Sequence, residues 1–327
     1  MTESPLGGLA VDPAFDSQLG SSMEDVERYL RSTVVSDYPF VTETSRHLVD
    51  AGGKRFRPLL TLLASHFGPR PANDDVIKAA VVVELTHLAT LYHDDVMDEA
   101  QLRRGAPSAN ARWDNSVAIL TGDFLFARAS DILADLGPEA VRIQAQTFER
   151  LCTGQIREAV GPDDGIDPVK HHLQVLSDKT GSLIATAGRF GAMMAGAEAS
   201  TIDTLSRFGE AIGVAFQLAD DIVDITSDAE QSGKLPGTDL REGVPTLATL
   251  IAQASDQSGD DALVAFLSGP IPDDADHARA LRLLREHPAL EDARDEARRW
   301  AGAARRSLEP LPAGDAGLAP AASSECV

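Results

Sequence analysis

Cysteine is nearly absent from this chain: Cys152 and Cys326 are the two it has in 327 residues. Two cysteines cannot make a disulfide framework, which excludes small bridged secreted scaffolds and points to a reducing cytoplasm. Cys326 is next to last, so the C-terminus is not a prenylation box. Cations are scarce as well. With 29 Lys and Arg against 51 Asp and Glu the formal net charge is −22, which argues against nucleic acid and anionic membrane surfaces as general partners. No run of about eighteen uninterrupted apolar residues occurs. Glu84 and His87 break the run after Val76, and Arg189 breaks the one after Ser182. The sequence therefore predicts a soluble protein without an integral membrane segment. The first twenty residues lack a basic n-region and an apolar h-region, so they read as neither signal peptide nor anchor but as a flexible arm over 1–20. A Ser/His/Asp or Cys/His nucleophile set is likewise missing, and no stretch shows convincing strand alternation.

What remains is helical. The pattern turns helical at Ser21, where Ser21 and Glu24 form a candidate capping box. Pro39 opens a second helix, Gly52 and Gly53 stop it, and Pro58 sits at the first position of a third. A long apolar helix then runs into Asp98. Further helices are predicted over Trp113–Leu136, Pro138–Val160, Pro168–Ser177, Ser182–Ala197 and Ile202–Ser227, with more helical segments from Thr246 to Leu308. The expected fold is all-α: a single-domain helical bundle around a central cavity, spanning 21–310, followed by a flexible Pro- and Ala-rich tail over 311–327.

Two acidic triads stand out. The segment Glu84–Gly105 ends an apolar run in Asp94, Asp95 and Asp98, followed by Arg103 and Arg104. Residues four apart share a helix face, so Asp94 and Asp98 point into one space while Asp95 flanks them. Carboxylates this close repel unless a cation joins them, and Mg²⁺ takes one or two carboxylates together with phosphate oxygens and water. Alone, such a cluster reads equally well as a solvated helix cap. A second copy shifts that balance: Gly213–Asp224 again runs an apolar helix into Asp220, Asp221 and Asp224 with the same spacing, 126 positions on (220 minus 94). Two such triads facing each other across a bundle can hold several metal ions.

The scarce cations cluster. GGKRFRP, Gly52–Pro58, sets Lys54, Arg55 and Arg57 at a Gly-to-Pro helix junction, where backbone N–H groups and cations can jointly hold a phosphate. It is not a P-loop, and standing alone it reads as a charged cap. His87, two turns and about 10 Å before Asp94, is either a packed core residue or a donor to a second phosphate site. Lys179, Thr180 and Lys234 read singly as surface groups, and Gln217 either hydrogen-bonds a ligand or packs. Together these residues are equipment for two diphosphates, one of them held through metals, beside a dry apolar cavity.

In order, GGKRFRP, HDDVMD with the following RRG, KTGSL, FQLADDIVD and SGKLPGTDL resemble the motifs of trans-polyprenyl diphosphate synthases, over roughly Asp50 to Leu247. The resemblance implies head-to-tail condensation of isopentenyl diphosphate with an allylic diphosphate. It implies that Lys54, Arg57, His87 and Arg104 bind isopentenyl diphosphate, and that Arg103, Lys179, Thr180, Gln217 and Lys234 hold the allylic one. The aspartates and Lys179 would be catalytic, with Asp94, Asp98, Asp220 and Asp224 holding two or three Mg²⁺, in a cytoplasmic homodimer. Two departures are visible: Val244 stands where the family often carries a second lysine, and the tail after Leu311 is short and unlike the expected closing helix. The rivals are a terpene cyclase, disfavoured by GGKRFRP and His87, and a non-catalytic subunit of a two-component synthase, which would be expected to have lost a triad. A short-chain synthase is the third alternative. One turn before Asp94 lie Ala89 and Thr90, with Thr86 a further turn back, all small. Tyr92 lies about 200° around the helix and should point elsewhere. The open floor predicts a long-chain product, beyond geranylgeranyl.

Overall fold

The computed structural model describes residues 12–227, 236–255 and 261–311. Lys234 and all but Leu311 of the expected tail lie outside those residues. Among the described residues the chain is all-α apart from one two-stranded hairpin. In order come α1 (Pro13–Thr33), α2 (Pro39–Asp50), α3 (Phe56–Ser65), α4 (Asp74–Met97), β1 (Leu102–Arg103), β2 (Ala106–Pro107), α5 (Ala109–Arg112), α6 (Asn115–Leu136) and α7 (Pro138–Val160). Then follow α8 (Pro168–Leu176), a π-helical turn (Ser177–Gly181), α9 (Ser182–Met194) and α10 (Ala199–Thr226). The helices Thr238–Glu242, Leu247–Gln253, Asp261–Phe266, Asp274–Glu286 and Ala289–Ser307 close the described chain.

Three differences from the expected elements have a local reason. α1 begins at Pro13 because the Asp12 carboxylate accepts from the Ala14 N–H at 2.8 Å, and Pro13 suits the first helical position. Ser21 and Glu24 therefore lie inside the helix, which reaches into the segment expected to be a flexible arm. α3 starts at Phe56 rather than Pro58. Arg55, at φ 47°, occupies a left-handed N-cap that its ion pairs hold in place. The hairpin is the third difference. Its central residues Arg104 and Gly105 have φ of 54° and 78°, the paired positive values that suit a two-residue β-turn between antiparallel strands.

The contacts divide the chain into two compact units. The first comprises the described residues 12–148, 183–209 and 308–311, and α4 is its core helix. Asn73 caps α4 by accepting from the N–H groups of Asp75 (2.8 Å) and Val76 (3.2 Å), and Asp74 and Asp75 suit the positive end of the helix dipole. Its middle is mostly apolar and packs against α6, α3 and α1, leaving Val81, Val82, Val83, Leu85 and Leu88 without solvent contact. α4 has the length and hydropathy to span a membrane, but 67% of its most apolar window is buried within the protein. At Gly122 of α6 a Cβ would fall 2.4 Å from His93 Nε2 and 3.0 Å from the Ala89 carbonyl, so the close approach of α6 to α4 requires glycine there.

The second unit comprises the described residues 149–182, 210–227, 236–255 and 261–307. Its core gathers Leu176, Val214, Leu218 and Ile225 with Leu240, Leu247, Leu284 and Leu290. This core fixes the position of the π-helical turn and of the end of α10.

Candidate active site

In the first unit α4 ends in the first triad. Asp98 caps the helix, its N–H donating to the Asp94 carbonyl at 2.8 Å, so Asp94 and Asp98 stand one turn apart at the negative end of the dipole, with no basic residue in that last turn. Asp95 turns the other way. It is fully buried and accepts from Arg103 Nε at 2.6 Å, while its Oδ2 has no hydrogen-bond partner. Burial raises its pKa despite Arg103. Asp95 thus anchors the hairpin, while Asp94 and Asp98 lie one turn apart at the end of α4. Arg103, expected to face a ligand, is engaged by Asp95 through Nε.

The same unit concentrates the cations. Arg55, grouped above with the phosphate-holding residues, is instead a buried strut. It pairs with Glu27 and, at 2.9 Å, with Glu84, and donates to the Val49 carbonyl at 2.9 Å. Its neighbours differ. Among the described residues neither Arg57 nor Arg104 has an ion-pair partner. Arg57 Nε is buried with no hydrogen-bond partner, and burial lowers the pKa of that guanidinium, partly countered by Glu84. Arg104 donates to the backbone carbonyls of Leu48 (3.1 Å) and Gly52. Its guanidinium lies 3.0 Å from where a Cβ on Gly53 would stand, at φ 141°, so only glycine fits. Burial, followed by Arg57, Arg104, Arg55 and Arg103, pushes His87 well below its ordinary pKa. It is a neutral donor beside an excess of positive charge. Lys54 is exposed. A pair of guanidinium groups without an ion-pair partner, one with an orphaned N–H, beside a neutral imidazole is a site for an anion.

The second unit repeats the acidic arrangement with different support. Asp220 is exposed, Asp221 is buried, and the Asp224 carboxylate accepts from the N–H groups of Thr238 and Asp239, both at 3.2 Å. Thr180 Oγ1 donates to Gln217 Oε1 at 3.2 Å, and Gln217 Nε2 donates to Asp221 Oδ1 at 3.1 Å, so Gln217 links the KTG segment to the triad. Burial and the neighbours Asp220, Asp224 and Glu158 push Asp221 up to about 6 against the Gln217 hydrogen bond. Asp239, which the sequence reading did not single out, is pushed up to about 7 by burial and by Asp224 and Asp221. Carboxylates held this close to their neutral forms need a cation to ionise fully. Lys179 pairs with Glu158, and His172 lies 3.9 Å from Asp221, its pKa lowered to about 4 by burial. Val244 is exposed and donates its N–H to the Asp239 carbonyl at 2.8 Å. Among the described residues no three His, Cys, Asp or Glu side chains form a ready ligand set. Each triad presents an outer pair of carboxylates, the number Mg²⁺ takes from protein when phosphate and water supply the rest.

Residues 38–284 match the sequence profile of polyprenyl synthetases. The chain belongs to the polyprenyl synthetase family. Among relatives, the nonaprenyl diphosphate synthase of Mycobacterium tuberculosis is 50% identical over 303 residues, covering 92% of this chain and 90% of that protein. A dimethylallyltranstransferase of the same organism is 41% identical over 302 residues, covering 92% and 91%. Of solved structures, the geranylgeranyl pyrophosphate synthase of Corynebacterium glutamicum, complexed with calcium and isoprenyl diphosphate, superposes with a TM-score of 0.84 at 48% identity, covering 95% of this chain and 94% of that one. This polyprenyl synthetase thus resembles, at nearly equal identity, relatives named for products of different length.

The side chains near α4 bear on that difference. Thr86 is buried, its hydroxyl donating to the Val82 carbonyl at 2.9 Å and accepting from Gln144 Nε2 at 2.8 Å. Ala89 is fully buried in the contact with α6, and Thr90, half-buried, donates to the His87 carbonyl at 2.8 Å. Tyr92 points away, as its helical angle predicts. It donates to the Thr44 carbonyl of α2 at 2.5 Å and accepts from the Leu48 N–H at 3.2 Å. On α6, Phe126 packs against Phe148 (ring centroids 4.4 Å) and His93 (5.8 Å).

Proposed function

We propose that this family member joins isopentenyl diphosphate head-to-tail to an allylic diphosphate, with Mg²⁺, and makes an all-trans polyprenyl diphosphate longer than geranylgeranyl. The observation that carries this reading is the Arg57–Arg104 pair, without ion-pair partners among the described residues, beside neutral His87. A terpene cyclase needs no second anion site of this kind. In this reading Lys54, Arg57, His87 and Arg104 hold isopentenyl diphosphate, and Arg103, Lys179, Thr180, Gln217 and Lys234 hold the allylic diphosphate. Asp94, Asp98, Asp220 and Asp224 hold two or three Mg²⁺, which offset the charge gathering on the departing diphosphate. Asp95 and Asp221 keep the outer carboxylates aimed from behind. The allylic C–O bond breaks, a C–C bond forms to the isopentenyl double bond, and the departing diphosphate takes the proton, so no protein base is required. Long product is supported by the small, half-buried Thr90 one turn before Asp94 and by Tyr92 being held against α2, whereas Thr86 and Ala89 are enclosed in packing. We place this chemistry in a cytoplasmic homodimer. We also read 21–310 as a single polyprenyl synthase domain, since the family match runs through segments of both units.

The test is incubation of the purified protein with isopentenyl diphosphate, a series of allylic diphosphates and Mg²⁺, followed by product sizing and gel filtration. Products beyond geranylgeranyl, made with metal and lost on chelation, support the proposal. Consumption of an allylic diphosphate without isopentenyl incorporation would point to a cyclase, and no turnover by the protein alone to a subunit of a two-component synthase.

A further inference from the structure

We propose that Asp178 is a positioning residue for the allylic diphosphate, fixing the π-helical turn that presents Lys179 and Thr180. The inference rests on assigning those two residues to the allylic site. A π turn holds one residue more per bonded loop than an α turn and persists only where its surroundings impose it. Here the Ser182 N–H bonds the Ser177 carbonyl across the turn. Asp178, buried, is gripped from three directions: Arg150 Nε donates to Oδ1 at 2.9 Å, and Arg157 (3.1 Å) and Gln174 Nε2 (3.0 Å) donate to Oδ2. The preceding residue is tied as well. Ser177 Oγ donates to Glu210 at 2.6 Å, and Arg150 reaches both Glu210 (2.7 Å) and Ser177 Oγ (3.0 Å).

The backbone is wedged to match. A Cβ on Gly154 of α7 would fall 2.9 Å from Asp178 Cβ and 3.1 Å from Lys179 N, and one on Gly181 would fall 3.1 Å from the Glu210 carbonyl. The extra residue of the turn is therefore held between α7, which supplies Arg150, Arg157 and the close approach at Gly154, and α10, which supplies Glu210. It sets the rotation at which Lys179 and Thr180 leave the helix, with Thr180 meeting Gln217 at 3.2 Å.

A charge-balancing role makes the opposite prediction to a positioning role. If Asp178 only neutralised Arg150 and Arg157, Asp178→Asn would leave Arg157 unpaired and Arg150 with Glu210 alone, a net gain of positive charge near Lys179, and a diphosphate would bind more tightly. If it positions the turn, the same substitution loosens the grip on Lys179 and Thr180, and binding weakens. The experiment is steady-state kinetics on the full chain with farnesyl diphosphate as the allylic probe, for the wild type, Asp178→Asn, Arg150→Gln and Lys179→Ala. The proposal expects KM for farnesyl diphosphate to rise about tenfold in Asp178→Asn and less in Arg150→Gln, with KM for isopentenyl diphosphate within about twofold. Should Asp178→Asn fail to fold, Gln174→Ala carries the decision, since it removes one hold on Asp178 without changing charge: a rise in the farnesyl KM supports positioning and no change overturns it. A fall or no change in the farnesyl KM, or equal rises for both substrates, would overturn the positioning role. If that occurs while Lys179→Ala still raises the farnesyl KM, the allylic assignment stands. If Lys179→Ala leaves that KM unchanged, the assignment and the positioning role fall together.

Discussion

Arg57 and Arg55 are two residues apart and chemically alike, yet the surroundings give them different work. Arg55 is neutralised by Glu27 and Glu84, whereas Arg57 keeps a buried, unpartnered Nε. Arg57→Ala and His87→Ala should therefore raise KM for isopentenyl diphosphate by about tenfold or more with smaller effects on the allylic KM, measured by steady-state kinetics. Arg55→Ala should act differently, leaving Glu84 buried and unpaired and lowering Tm by several degrees. A second expectation concerns Lys179, which pairs with Glu158. Glu158→Gln should lower the allylic KM, since the competing carboxylate and its repulsion of a diphosphate both disappear; an increase would contradict that reading. The identity of these groups was legible in the sequence because the spacing of GGKRFRP and of the two triads is local. Which of them are spent on internal pairing was not. The Arg103–Asp95 and Arg55–Glu84 bonds depend on a hairpin and on a left-handed residue, and neither leaves a periodic trace.

At the scale of elements, α4 was the most legible part of the molecule, since its cap, its apolar run and its acidic end all lie in one stretch. The π-helical turn was invisible because its stability comes from Arg150, Arg157, Gln174 and Glu210, brought in from other helices. Asp239 escaped for a related reason: its raised pKa comes first from burial and then from neighbours that include Asp224, Asp221 and Asp220 on α10. α4 also carries the product-length expectation. Thr90→Phe should shorten the product while leaving turnover of short allylic substrates within about threefold, read by product sizing and initial rates. Ala89→Phe is the poorer probe, because Ala89 is already enclosed against α6 and an added ring would overpack that contact. Unchanged product length in Thr90→Phe would move the floor of the channel elsewhere, with Phe126 the next residue to substitute.

For the whole molecule, net charge of −22 and a local excess of carboxylates tie stability to pH and to metal. Asp221 and Asp239 have folded pKa values of about 6 and about 7, above the ordinary value near 4. The folded, metal-free protein therefore retains protons that the unfolded chain gives up between pH ~4 and ~7, so these two groups make stability fall as pH rises through that window. Tm of the chelated protein should drop from pH ~5 to ~8 with a shallower slope in Asp239→Asn, and Mg²⁺ with inorganic pyrophosphate should offset the loss. An identical slope in Asp239→Asn would contradict this. The most direct test of the central claim, that the outer aspartates of both triads hold the metal for prenyl transfer, is Mg²⁺-dependent incorporation of isopentenyl diphosphate by Asp94→Ala and Asp220→Ala. Each should lose orders of magnitude in kcat, since several kcal/mol of charge stabilisation vanish and ~1.4 kcal/mol is a factor of ten, while circular dichroism stays that of the wild type. Near-normal kcat in either variant, or a loss that tracks unfolding, would contradict it.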